Sequence, residues 1–104
     1  MIKIIGNRGT GKTTKLIEIS AEKKIPILCK NSFDKYKIMK KAAIKGLEIP
    51  TPILFNEKEY NKTQQDVLVD ELDFFSSCLF EAYGYKIKGF TLTKNDLGVE
   101  LYEI

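Results

Sequence analysis

Within its first 24 residues the chain commits to one local architecture. The apolar run "IKII" at 2–5 meets "GNRGTGKT" at 6–13, where glycine fills three of the first six positions. An amphipathic stretch follows at once, with Leu16, Ile17 and Ile19 apolar and Ser20 near its middle. A short apolar run stopped by glycine predicts a strand, and the helical apolar period predicts a helix over 12–24. A Gly-rich turn from strand to helix exposes successive backbone N–H groups at the positive end of the helix dipole, which makes an anion site.

The remainder of the chain repeats this alternation. Pro26 opens "PILC", a second strand, and "SFDKYKIMKKAAIKG" at 32–46 predicts a helix. Ser32 is the expected N-cap and Gly46 the expected stop, with Phe33, Tyr36, Met39 and Ala43 on the expected core side. "TPILF" at 51–55 reads as a third strand, and 56–65 as a loop or short helix. "DVLVDE" at 66–71 has the continuous apolar centre of a strand buried on both faces of a parallel sheet. A helix follows at 72–83, with Leu72, Phe75, Leu79 and Ala82 or Tyr83 along one side. "GFTLT" at 89–93 is a fifth strand, and "VELYEI" at 99–104 alternates like an edge strand. Strands alternating with helices imply an α/β fold, a three-layer sandwich around a mostly parallel central sheet of about five strands. At 104 residues this is one domain, 1–104.

Composition narrows the classes. The chain holds 43% hydrophobic and 30% charged residues, which is ordinary for a soluble globular domain. No apolar run approaches the length of a membrane span. The chain opens directly on an apolar strand with no leader pattern, and Cys29 and Cys78 read as buried free thiols, so a cytoplasmic protein is expected. The absence of His removes the commonest general base and metal ligand. Sixteen Lys stand against one Arg, Arg8, and the net charge of +3 is too weak to indicate nucleic acid by itself.

The loop fits Gly-x-x-x-x-Gly-Lys-Thr. In that pattern Lys12 reaches the β- and γ-phosphates of a nucleoside triphosphate, and the Thr13 hydroxyl ligates Mg²⁺. "GNRGTGKTT" resembles the Walker A motif of P-loop NTPases, and so implies the P-loop NTPase fold with Gly6, Asn7, Arg8, Gly9, Thr10, Gly11, Lys12, Thr13 and Thr14 as nucleotide-binding positions. The second motif is the acid pair closing "DVLVDE". Ligands of open α/β sheets sit at the carboxyl ends of strands, so Asp70 and Thr13 are expected to share one Mg²⁺. Glu71 is then the candidate to orient or deprotonate an attacking water. The plain alternative is that both acids merely open the next helix. The pair resembles the Walker B motif of the P-loop division with a catalytic glutamate, which includes helicases and recombinases. The size resembles small ATPases of bacteriophages and prophages, which implies a bacterial or phage-infected host cell.

That resemblance also implies a further strand, inserted between the other two, that ends in a polar sensor of the γ-phosphate. Thr93 and Asn95 are its candidates, against the plain reading of a polar strand exit. Arg8 is the only arginine, so a protein partner is expected to supply any arginine finger, and active sites between subunits of a homo-oligomer fit the same need. Lys37, Lys41 and Lys45, with Lys30, Lys35 and Lys40 nearby, form either a solvated helix face or a contact for DNA phosphates. The solvated face is favoured, because Phe33 and Tyr36 fall on the expected core side, where they cannot stack on bases. The expected function is a slow Mg²⁺-dependent ATPase, with a link to DNA as the candidate context. A nucleoside kinase is the alternative: "GKTTKL" and "DELDFF" resemble thymidine kinase, without the zinc-bound lasso of that family. A nucleotide-gated binding module with negligible turnover is the third reading. ATP is favoured over other bases by the habit of the family alone.

Overall fold

A computed structural model of the chain describes residues 1–7, 9, 11–55, 64–93 and 100–103, with side chains 74, 75 and 100–103 left aside. Six strands and three helices follow one another: β1 Ile2–Gly6, α1 Lys12–Lys23, β2 Ile27–Cys29, α2 Ser32–Ile44, β3 Ile53–Leu54, β4 Gln65–Val69, α3 Phe74–Ala82, β5 Tyr85–Thr93 and β6 Glu100–Glu103. They form one sheet of order β3-β2-β4-β5-β1-β6. Its first five strands are parallel, and β6 runs antiparallel to β1 at the edge. The α/β class and mostly parallel sheet therefore stand as read from the sequence. Among the described residues, no helix is long and apolar enough to cross a membrane.

The layers follow from the strand order. Connections through α1 and α2 move in one direction along the sheet, and the connection through α3 moves back. Because βαβ crossovers are right-handed, a reversal of direction puts the helix on the opposite face. The core divides accordingly. Ile2, Ile4, Ile27, Cys29 and Leu68 pack with Leu16, Ile17 and Ile19 of α1 and Ile38 and Ala42 of α2. Leu28, Val67, Val69, Tyr85, Ile87 and Phe90 pack with Leu72 and with Phe80 of α3. Phe55 closes this second cluster with edge-on ring contacts to Phe80, Tyr83 and Tyr85.

Four details of the sequence reading are corrected. Asn31, not Ser32, caps α2, its side chain accepting from the Asp34 N–H at 2.8 Å. Gly46 does end that helix: at φ 68° it allows the paired bonds Gly46 N–H to Ala43 and Leu47 N–H to Ala42 of a Schellman motif. The α2 face is inverted. Ile38 and Ala42 are buried, whereas Phe33, Tyr36 and Met39 are 67%, 62% and 45% exposed and Ala43 is exposed too. Among the described side chains of α3 the buried ones are Ser76 and Phe80, with Leu72 just before the helix, while Ala82 is exposed and Leu79 and Tyr83 are half-buried; Phe75 lies outside the described side chains. Cys78 lies outside that stripe and is exposed, against the expectation that both thiols are buried.

The two thiols therefore differ in chemistry. Burial, reinforced by Asp34, pushes the Cys29 thiol up from 9.0 to about 11. The thiolate is the nucleophile, so at pH 8 a disulfide reagent is expected to label Cys78 rapidly and Cys29 only after denaturation. Two equivalents consumed at once by native protein would contradict this. The sign for stability is that of a raised acid: the unfolded thiol ionises first, so stability is full below pH 9.0 and declines as pH rises through about 11.

Candidate functional site

The site forms where three segments reach the carboxyl edge of the sheet. The first is the loop after β1. Gly9 and Gly11 take φ 79° and 84°, left-handed backbone that a side chain rarely adopts, and Gly11 is the N-cap of α1 without any side-chain cap. Gly11 therefore supplies no side-chain acceptor to the first-turn N–H groups of α1, where the helix dipole is positive. Lys12 is 5% exposed, and its ammonium donates to the Asn7 carbonyl at 2.6 Å. A buried cation at a helix N-terminus adds to an anion-binding field. Gly6 is buried, and Asn7, Thr13 and Thr14 are half-buried. Arg8 and Thr10 lie outside the described residues.

The second segment is the exit of β4. The strand ends at Val69, so Asp70 and Glu71 stand just beyond it and ahead of α3, which is capped by Asp73. The plain reading, in which the acids form the first turn of the helix, therefore does not hold. The Thr13 hydroxyl donates to Asp70 Oδ2 at 2.8 Å, bringing together two positions 57 residues apart. Glu71 adopts φ 55°, a left-handed conformation that costs a non-glycine residue about 1–2 kcal/mol. Such strain persists only where surrounding contacts impose it.

Those contacts come from the third segment, β5. Thr91 is fully buried, and its hydroxyl donates to Asp70 Oδ1 at 2.5 Å while accepting the Glu71 N–H at 2.7 Å. The Thr91 carbonyl accepts the Leu72 N–H at 3.0 Å. One residue thus orients the Asp70 carboxylate and pins the strained turn at Glu71. Thr93, two residues on, donates its hydroxyl to Glu71 Oε1 at 2.5 Å. Thr93 was one sensor candidate, and its side chain holds the second acid. Asn95, the other, lies outside the described residues.

A bulge in β5 sets the side of the sheet on which Thr91 falls. Strand β5 starts at Tyr85, four residues earlier than expected, and its register with β4 slips so that Val67 pairs Ile87 and Leu68 pairs Gly89. Before the slip, Tyr85 and Ile87 face α3; after it, Phe90 does. Gly89 faces the other way, where an added Cβ would sit 2.9 Å from the Leu68 side chain and 3.2 Å from Ile2 Cβ. Strict alternation from Tyr85 would send positions 91 and 93 towards α3. The extra residue at Lys88 turns Thr91 and Thr93 to the side of Thr13 and Asp70 instead.

Beside the acids lies a cleft of about 240 Å³ lined by Leu28, Cys29, Lys30, Lys37, Lys41 and Glu71, among others. Its position has a topological cause. Strands β2 and β4 are neighbours, yet α2 leaves β2 on one face and α3 leaves β4 on the other. Ligands of open α/β sheets collect at such switch points. Among the described residues no group of three or more carboxylate or sulfur ligands surrounds a metal position. The oxygen pair of Thr13 and Asp70 is of the hard kind that suits Mg²⁺, which keeps several waters and takes one or two carboxylates together with substrate phosphates. Comparison with protein-family models, with curated proteins and with solved structures finds no match to this chain.

Proposed function

We propose that the chain binds ATP with Mg²⁺ and hydrolyses it slowly, as a minimal P-loop NTPase of the catalytic-glutamate division. The observation that carries this reading is the Thr13–Asp70 hydrogen bond. A hydroxyl at the start of α1 and a carboxylate beyond β4, 57 residues apart, converge beside a glycine turn at a helix N-terminus. The strand order supports it too: β5 lies between β1 and β4, where the resemblance places its sensor strand.

The residues have distinct tasks. The loop N–H groups and Lys12 neutralise the phosphates. Thr13 and Asp70 hold Mg²⁺, which when bound polarises the phosphoryl oxygens. Glu71, exposed at the cleft and aimed by Thr93, receives the proton of an attacking water. In phosphoryl transfer the protein contributes chiefly positioning and charge, and a trans arginine supplies a large part of the rate. With Arg8 as the only arginine, turnover without a partner is expected to be low.

Phosphate release from ATP by the purified chain tests the reading. The expected result is Mg²⁺-dependent release, abolished by EDTA, with no phosphorylated product when thymidine is added. Formation of thymidine monophosphate would support the kinase instead. Tight ATP binding without Mg²⁺-dependent release would leave a binding module, and no binding of ATP would overturn the proposal altogether.

A further inference from the structure

We infer that the outward face of α2 binds single-stranded nucleic acid, its phosphates along the lysines that rise from the cleft and its bases on Phe33 and Tyr36. The inference adds a partner to the proposed function and does not depend on hydrolysis.

Charge is the first ground. Residues 30–45 carry six lysines against Asp34 alone, a net of +5 in a chain whose total is +3, so the remaining residues sum to −2. The positive charge of the molecule is thus concentrated on one helix and its entry, which is the footprint of a polyanion site. The second ground is the inverted face. Phe33, Tyr36, Lys37, Lys40 and Ile44 follow the three- and four-residue spacing that aligns side chains on one side of a helix. All five are exposed, and Ile44 reaches 75%. The Lys37 ammonium lies 5.4 Å from the Phe33 ring centroid, so a cation and a stacking surface already sit together. The third ground is continuity. Lys37 and Lys41 also line the switch-point cleft with Lys30, so the stripe leads into it.

The cleft's own acids, Asp34, Asp70 and Glu71, balance its three lysines. Net attraction for a phosphate chain therefore comes from the rim, where Lys40 and the aromatic rings stand. A helix partner laid in a groove would need an unbroken apolar stripe. Here lysines interrupt the apolar positions, the arrangement that serves stacked bases between backbone phosphates.

Fluorescence anisotropy of a 5′-fluorescein oligothymidylate, titrated with the intact chain in the absence of nucleotide, decides the matter. Three lysine–phosphate contacts predict a log–log salt slope of about −2, at roughly −0.7 per contact for single strands. Phe33→Ala and Tyr36→Ala are each expected to weaken binding about fivefold or more, the equivalent of losing one stacked base. Lys37→Ala should flatten the slope by about 0.7. Lys86→Ala, an equal loss of charge at an exposed position of β5, should leave it unchanged. Because these side chains are exposed, melting temperatures of the variants should match wild type. No binding at low salt overturns the inference, as does binding indifferent to the Phe33→Ala, Tyr36→Ala pair. Equal competition by duplex DNA or heparin would reduce the face to an unspecific polyanion surface and overturn it as well. A chain that binds the strand yet releases no phosphate from ATP separates the failure of the proposed function from the failure of this one.

Discussion

Glu71→Gln is expected to bind ATP within about twofold of wild type and to release phosphate 10²- to 10⁴-fold more slowly, the usual contribution of a general base. The substitution isolates basicity. Glutamine keeps the length of the side chain and keeps an oxygen that can accept the Thr93 hydroxyl. It meets the same φ of 55° at the same cost, and the Glu71 N–H bond to Thr91 is a backbone bond that survives. What disappears is the proton acceptor. Fluorescent-nucleotide titration and single-turnover phosphate release, measured on the same preparation, separate the two quantities. Equal release by Glu71→Gln and wild type would remove Glu71 from the chemistry, and any turnover would then have to come from elsewhere. Reduced binding together with reduced turnover would instead indicate that the acid supports the turn rather than the reaction.

The contrast between Asp70 and Glu71 shows what the sequence could and could not reveal. Both were legible as a pair, because an apolar strand ending in two acids places them at the carboxyl edge whatever the detailed packing. The loop's backbone was legible for a similar reason: the glycine spacing asks for left-handed conformations, and Gly9 and Gly11 adopt them. Thr91 was not legible. Its role depends on the slip between Val67 and Leu68, and no alternation in "YKIKGFTLT" announces which residue is the extra one. The only local signal is Gly89, and its small size is explained only once Leu68 and Ile2 are seen to press on it.

The α2 helix failed for another reason. Apolar residues lie on more than one of its sides, so periodicity alone supports several core faces. The structure chooses Ile38 and Ala42 because these flank the β2 side of the sheet, joining Ile27 and Cys29. The choice leaves two large aromatics in solvent, which burial alone does not favour. It also sets Phe33 and Tyr36 in solvent beside the lysines, where both rings are accessible for stacking. The functional consequence of one misassigned helix face is thus larger than the structural one.

Thr91→Val should cost about 2.5–6 kcal/mol of stability and weaken Mg²⁺ binding about 10- to 100-fold. Valine matches threonine in shape, so packing in this fully buried position is preserved and the loss is polar. The hydroxyl serves two groups at once. Its donated bond goes to a carboxylate, and bonds to charged partners contribute about 1.5–3 kcal/mol. Its accepted bond satisfies the Glu71 N–H, and an orphaned donor costs about 1–3 kcal/mol where water does not replace the partner. At the size of this domain the sum corresponds to a fall of roughly 10 °C or more in melting temperature. The metal effect follows from orientation: with Oδ1 released, Asp70 no longer presents Oδ2 to the Thr13 side in a fixed pose, and loss of such an outer partner costs metal sites about 10- to 100-fold. Thr91→Ser supplies the control, because it restores both bonds and removes only a methyl group. Serine should recover Mg²⁺ affinity while remaining slightly less stable than wild type. If valine and serine variants bind Mg²⁺ and ATP alike, Thr91 is a packing residue and the Asp70 carboxylate is held by Thr13 alone.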